Sequence, residues 1–215
     1  MIRKQAAACA ILLTVSSAFC GTAFAAPLQG TEKAAVSAES ALHVDSSRWN
    51  YDKDNDIYYQ IGLVYCKNPV ASEYESLSVY VPGAYMKGTP NADGTYTCQI
   101  SDKGKVGEYT ARTAPVIMPV NTGGYAAQKA PSSYAPKGLN TYLSQGFVYV
   151  FAGCRGRDNG TNPDGTTFDG GAPWGVTDLK AAVRYLRYND SFLPGNKVRI
   201  YTFGHTGGGA QIALM

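Results

Sequence analysis

Histidine is almost missing from this chain. Its 215 residues contain two, His43 and His205. With cysteine confined to Cys9, Cys20, Cys66, Cys98 and Cys154, no cysteine–histidine cluster has the spacing of a zinc site. An excess of one charge sign is missing as well. The 19 basic residues face 16 acidic ones, and Arg3 and Lys4 fall in a segment that reads as a removable leader. The balance that remains supplies no field to steer nucleic acid or an anionic membrane surface. Long apolar runs are also lacking. The most apolar stretch, Ala6–Val15, falls short of the roughly 20 residues a spanning helix needs, so no stable membrane span is expected once the leader is cleaved. There is no internal repeat and no long low-complexity tract. What the chain does have is apolar material, 45% of its residues, enough for one globular core.

The N-terminus reads as a Sec-type secretory signal. Arg3 and Lys4 form a basic region, an apolar stretch follows, and Ala23-Phe24-Ala25 matches the small-x-small cleavage pattern, which places the cut after Ala25. Lipidation at Cys20 is disfavoured by the bulk of Phe19 before it. The expected location is therefore secreted or cell-envelope. Residues 26–45, poor in aromatics, read as a flexible linker, and residues 46–215 as the folded domain. Cys66, Cys98 and Cys154 survive cleavage. Two readings stand side by side: a Cys66–Cys98 disulfide with Cys154 left free, or three small buried thiols.

Residues Asp56–Cys66, Leu77–Pro82, Tyr96–Ile100, Pro115–Val120, Gly146–Ala152 and Lys197–Phe203 have the β-branched and aromatic texture of strands. Residues 88–113, glycine-rich and polar, read as an excursion between core strands. The runs at 115–120 and 146–152 are apolar without alternation, which suits strands buried on both faces of a largely parallel sheet. Val176, Leu179, Val183 and Leu186 make one face of a helix predicted from Thr177, as N-cap, to about Asn189. A second helix starts at Ala210 and the chain stops about two turns later. The order is that of an α/β fold, a mostly parallel sheet flanked by helices. It breaks off after a central strand, so the C-terminal half of the fold is expected to be missing.

The sharpest motif is Phe203-Gly204-His205-Thr206-Gly207-Gly208. A Gly-x-nucleophile-x-Gly turn between strand and helix is a nucleophile elbow. Its glycines let a strained turn close and expose one hydroxyl at a helix N-terminus. Here threonine stands where serine is expected. Dinucleotide spacing fits from neither Gly204 nor Gly207, and no lysine is present for a Walker loop. A purely structural tight turn remains the competing reading. A second motif, Asn121-Thr122-Gly123-Gly124-Tyr125, follows an earlier apolar run. Acyl transfer needs two backbone donors for the developing oxyanion. Gly207, after the nucleophile position, and Gly123 or Gly124, in this loop, are the candidates.

These segments resemble an α/β-hydrolase esterase, and most closely the bacterial tannase and feruloyl-esterase-like group. The resemblance is carried by Tyr58–Cys66, Tyr74–Leu77, Tyr80–Gly83, Gly153–Asp158, Trp174–Arg184 and the elbow, and covers the chain from Trp49 to Met215. It implies a secreted carboxylic ester hydrolase with a serine-type acyl-enzyme mechanism, acting on small aromatic-acid (tannin or feruloyl-like) esters without a cofactor or metal. It places the nucleophile at Thr206 and the oxyanion donors at Gly207 and Gly123 or Gly124. The family's acid and histidine follow the elbow, and none of the nine residues after Thr206 is either. His205 adjoins the nucleophile position and reads as a pocket residue that supports it. His43 lies in the expected linker, with nothing to hold it near the site. The chain is therefore expected to be inactive as it stands. Two further readings stay open: a noncatalytic exported binding protein on a hydrolase scaffold, and a truncated gene product without independent function. Oligomeric state is left open. Two acidic stretches imitate calcium loops. Ile57 replaces the required glycine in one (Asp52, Asp54, Asp56), and Pro163 replaces it in the other (Asp158 to Asp169), so both read as solvated loops.

Overall fold

The computed structural model describes residues 42–157, 164–166 and 172–215; the leader, most of the expected linker and most of the Asp158–Asp169 stretch lie outside them. Ten strands are described: β1 (Asn50–Asp52), β2 (Ile57–Val64), β3 (Ser76–Pro82), β4 (Met86–Pro90), β5 (Tyr96–Ile100), β6 (Lys105–Val106), β7 (Tyr109–Thr110), β8 (Pro115–Pro119), β9 (Val148–Ala152) and β10 (Asn196–Phe203). The helices are α1 (Asn140–Leu143), α2 (Ala172–Tyr188) and α3 (Gly207–Leu214). Six strands make the main sheet in the order β1-β2-β3-β9-β8-β10, while β4–β5 and β6–β7 form separate ribbons that largely fall in the excursion read at 88–113, with β4 starting two residues before it at Met86. No described helix is long and apolar enough to cross a membrane.

The sheet is mixed, which corrects the expectation of a mostly parallel one. β8 runs parallel to β9 and β10, but β3 pairs antiparallel with both β2 and β9, and β1 pairs antiparallel with β2. Burial was the signal for parallel pairing, and β3 and β8 are indeed buried along their whole lengths. Burial on both faces depends on what covers the sheet, not on strand direction. For β1–β2 and β2–β3, direction follows from the connections. The turn of residues 53–56 and the segment 65–75 are too short for the helical crossover that a parallel neighbour requires.

Alternation along β3 distributes the core over both faces. Leu77, Val79 and Val81 pack with Val116, Met118, Val148 and Val150 and with Leu179, Ala182, Tyr185 and Leu186 of α2. On the other face Tyr80 packs with Ile57 and with Leu139 and Leu143 at α1. Helix α2 begins at Ala172, five residues before the expected N-cap Thr177. Pro173 in its first turn costs nothing, because the N–H it lacks has no intrahelical acceptor there.

Two further expectations change. The three cysteines are free thiols, so the disulfide reading falls. Cys98 sits in the β4–β5 ribbon opposite Gly88, while Cys66 turns its Sγ toward Glu75 Oε1 at 3.6 Å. Burial pushes both thiols up to about 12. The end of the expected linker is also tied down. Val44 is buried, its N–H donates to Asn189 Oδ1 at 2.8 Å, and Asn189 Nδ2 donates to Leu42 O at 2.9 Å.

A buried ion cluster joins three segments. The Arg155 backbone N–H and Nε both donate to Asp178 Oδ2 at 2.9 Å, and Arg155 Nη2 lies 2.6 Å from Asp178 Oδ1 and 3.4 Å from Glu75 Oε1. All three side chains are buried. The hydrogen-bonded Asp178 carboxylate raises the Arg155 guanidinium further above its usual range. Replacing Arg155 with methionine leaves two buried carboxylates without their cation. Arg155→Met is expected to lower unfolding stability by about 3–5 kcal/mol, measured by urea titration; a loss within about 1 kcal/mol would contradict the cluster's role. A second expectation concerns β10, which pairs on one side with β8 and exposes Val198, Tyr201 and Phe203. Such an edge templates association, so the chain is expected to be poorly soluble, and Val198→Lys to raise the monomer fraction in size-exclusion chromatography. A cooperative melt of purified, monomeric unsubstituted chain would contradict this.

Candidate active site

Parallel pairing of β8 and β10 decides where the site forms. Their register ends at Phe203 opposite Pro119, and Val120 N donates to Phe203 O at 2.9 Å. The loops leaving both strands therefore emerge side by side at one end of the sheet. One loop is the elbow and the other is the Asn121–Tyr125 segment.

At the elbow, Thr206 has φ 49° and ψ −118°, a backbone conformation that a β-branched residue rarely adopts. Helix α3 begins at the next residue, Gly207. The first N–H groups of a helix have no intrahelical acceptor and point outward. The turn closes only because its glycines carry no Cβ. A methyl on Gly204 would lie 2.3 Å from Val120 O, one on Gly208 2.1 Å from the same atom, and one on Gly207 2.4 Å from Thr122 O. Each contact is with backbone, which cannot swing away.

The two motifs thus meet. The nearest atom to a Cβ built on Gly123 is Thr206 Oγ1, at 3.8 Å. Gly124, with φ 61°, faces away toward Arg157, whose Nη2 lies 4.0 Å from its Cβ position. The structure therefore brings together Thr206, Gly207 and Gly123, with Gly124 one residue further round the turn. His205 is exposed, and its carbonyl accepts from Gly208 N at 3.0 Å. His43 lies elsewhere. Its ring stacks on Tyr188 with centroids 4.7 Å apart, and its Nε2 is 2.9 Å from the Tyr188 hydroxyl. Tyr188 ends α2, which leads into the start of β10, whereas Thr206 follows the far end of that strand. A strand of eight residues separates the two by roughly 25 Å. Among the described residues Thr206 Oγ1 bonds to no imidazole or carboxylate, and no group of metal-ligating side chains forms a site. The carboxylate of Asp52 accepts from Asp54 N, Asn55 N, Asn55 Nδ2 and Tyr134 Oη, so this acidic turn satisfies itself.

Sequence reasoning missed the residues that hold the Asn121–Tyr125 loop. Thr122 Oγ1 donates to Gln211 Oε1 at 2.8 Å, with both side chains buried. Gln128 accepts from Asn121 N at 2.6 Å through Oε1, and its Nε2 donates to Ala152 O at 2.6 Å. Gly175 of α2 leaves room for Gln211, whose Nε2 would lie 2.4 Å from a Cβ there. One signal was available: Gln211 is a lone amide among Ala210, Ile212, Ala213 and Leu214. Its partner was not readable, because it lies 89 positions away in sequence.

No protein-family model and no curated protein matches this chain. Solved structures do. A tannase of Fusobacterium nucleatum is 27% identical with a TM-score of 0.65, over 80% of this chain and 35% of its own. A tannase from Lactobacillus plantarum is 30% identical with a TM-score of 0.65, over 83% of this chain and 36% of its own. A tannin acyl hydrolase solved in complex with ethyl gallate is 35% identical with a TM-score of 0.58, over 74% of this chain and 32% of its own. The chain spans about a third of the length of the tannase structures it matches.

The glycine contacts make a discriminating stability test. Gly208→Ala drives a methyl into Val120 O and is expected to cost about 1–3 kcal/mol. At Gly209 the nearest atom to an added Cβ, Gly204 O, is 3.2 Å away, and alanine favours a helix by about 1 kcal/mol. Gly209→Ala is therefore expected to stay within about 1 kcal/mol of the parent in thermal unfolding. Equal losses at both positions would contradict the packing.

Proposed function

We propose that this chain, tannase-like in fold and sequence, carries the nucleophile and oxyanion half of a carboxylic ester hydrolase site working by acyl transfer. The observation that carries the reading is the left-handed Thr206 backbone at a strand-to-helix turn, with Gly123 of a second glycine loop against its hydroxyl. In this reading the hydroxyl oxygen attacks the ester carbonyl carbon. The charge that develops on the carbonyl oxygen is met by the Gly207 N–H and by an N–H from Gly123 or Gly124. A general base must take the hydroxyl proton and pass it to the ester's alkoxy oxygen, which leaves as the alcohol when the tetrahedral intermediate collapses; water then cleaves the acyl–oxygen bond, releasing the acid and returning a proton to the threonine oxygen. The substrate class that fits the resemblance is an ester of an aromatic acid; a matched tannin acyl hydrolase was solved with ethyl gallate.

Attack needs a base within about 2.6–3.2 Å of the hydroxyl. The imidazole of His43 is too far, and that of His205 belongs to the residue beside the nucleophile. The γ-methyl of Thr206 also crowds the approach of an ester. We therefore propose that the chain binds ester without turning it over. Threonine at this position equally favours a noncatalytic binding protein on the same scaffold.

Two measurements test this. The chain alone is expected to give no burst with an activated aryl ester above the solution rate; one equivalent of product lost in Thr206→Ala would overturn the proposed inactivity. In a chimera that continues with the acid- and histidine-bearing part of a matched tannase, Thr206→Ser is expected to hydrolyse ethyl gallate. Thr206→Ala in the same chimera is expected to be slower than the serine form by on the order of 10⁶-fold. A folded chimera carrying Thr206→Ser that binds ethyl gallate but leaves it intact would refute acyl transfer here.

A further inference from the structure

The end of β10 away from the elbow carries a charge imbalance that the ester-site reading does not use. A cavity of about 460 Å³ opens there, lined by Arg112, Arg187, Asp190, Gly195, Asn196 and Lys197, with Val198 at its rim. Two guanidinium groups and an ammonium line it, against one carboxylate. The elbow follows the other end of this eight-residue strand, roughly 25 Å away, so the cavity is no part of the site around Thr206.

Main-chain contacts hold these cations together. Lys197 is buried; its ammonium donates to Leu193 O and to Gly195 O at 2.8 Å, and lies 3.0 Å from Asp190 Oδ1. Arg112 Nη1 donates to Asp190 O at 2.9 Å, and Arg187 Nε donates to Lys197 O at 3.3 Å. The loop bearing Arg112 is laced to the turn before β10, since Ala111 O accepts from Gly195 N at 2.6 Å and Ala114 O from Asn196 N at 2.7 Å. A guanidinium has five N–H donors. Each of these two uses one, and among the described residues neither pairs with a carboxylate. The carboxylate of Asp190 is engaged by Lys197. Burial lowers the Lys197 ammonium to about 8, and the Arg112 charge adds to the fall, against the pull of Asp190. An anion entering the cavity would relieve that field.

We propose that this cavity is a second binding site, which takes the phosphate group of a small molecule or the free ion. Planar guanidinium forks match phosphate oxygens bidentately. The volume lies within the range of small-molecule sites. With Asp190 counted, the cluster carries a net +2, which a dianion neutralises.

The test uses the full chain at low salt and about pH 8, where a phosphate group is doubly charged. Inorganic phosphate and phenyl phosphate are the probes, isothermal titration reads binding, and thermal melting checks folding. Saturable binding with a Kd of about 1 mM or tighter is expected. Arg112→Gln combined with Arg187→Gln is expected to weaken it by about tenfold or more. Asp190→Asn keeps a hydrogen-bond acceptor for Lys197 and removes the one competing negative charge, so it is expected to tighten binding several-fold. Tighter binding of phenyl phosphate than of phosphate assigns the site to a phosphomonoester, and equal binding assigns it to the free ion. No saturable binding of either probe overturns the proposal. Undiminished binding by a folded double-arginine variant overturns it as well, because the phosphate then sits elsewhere, the Gly207 donors included. So does an Asp190→Asn variant that binds no better than the parent, and this variant decides alone if the double-arginine chain does not melt cooperatively. None of these outcomes bears on acyl transfer at Thr206.

Discussion

Everything at the candidate site depends on one steric constraint: two backbones touch where no side chain fits between them. Gly204, Gly207 and Gly208 press against the main chain from Val120 to Tyr125, and a single methyl at any of the three would lie within 2.4 Å of a carbonyl oxygen. Because the contact is main chain to main chain, its geometry is set by peptide dimensions and not by rotamers. This is what allows a hydroxyl and two candidate oxyanion donors from segments some 80 residues apart to be held in register.

That contact needs support from behind, and the support is polar. Gln211 reaches from α3 to Thr122, while Gln128 ties Asn121 to the end of β9. Helix α2 lies against Gln211 at Gly175 and is fastened by Asp178 to Arg155, which also faces Glu75 ahead of β3. Buried amides and charges are costly unless every partner is present. Paired in this way they specify one arrangement of the loop, and losing any one partner leaves another buried and unpaired.

The two strained residues at the site differ in what surrounds them. Thr206 gains a position at the tip of a strand-to-helix turn, with its hydroxyl lifted above the sheet. Tyr125, at φ 63°, is part-exposed, with its backbone held by Thr122 O and Arg157 N. In both cases the left-handed backbone is imposed by neighbours: the glycines around Thr206, and Gly124 and Arg157 around Tyr125. Strain of about 1–3 kcal/mol per residue is a sizeable share of a domain's net stability, and only a rigid frame sustains it.

Local chemistry was readable from the residues alone. The strand at Tyr96–Ile100 has the expected bounds, and that at Lys197–Phe203 begins one residue earlier, at Asn196. β-branched and aromatic residues declare extended backbone wherever they cluster, and the glycines of the elbow declare a tight turn wherever they stand. The likeness to tannases was legible for the same reason, since it rests on short segments such as Gly153–Arg157 and the elbow. Strand direction was not legible, because burial looks the same in antiparallel β3 and parallel β8. The cysteines could not be paired or left unpaired by spacing, because Cys66 lies in the bend after β2 while Cys98 lies in the separate β4–β5 ribbon. Gln211 was a lone amide in an apolar helix until the fold buried it against Thr122, 89 positions away, and Arg155 showed no partner until the fold buried it against Asp178 and Glu75. Sequence determined which backbone shapes this chain adopts, since those depend on each residue and its neighbours. Tertiary structure alone decided which of those shapes meet, because that is set by parallel register between β8 and β10 and by polar partners no local pattern encodes.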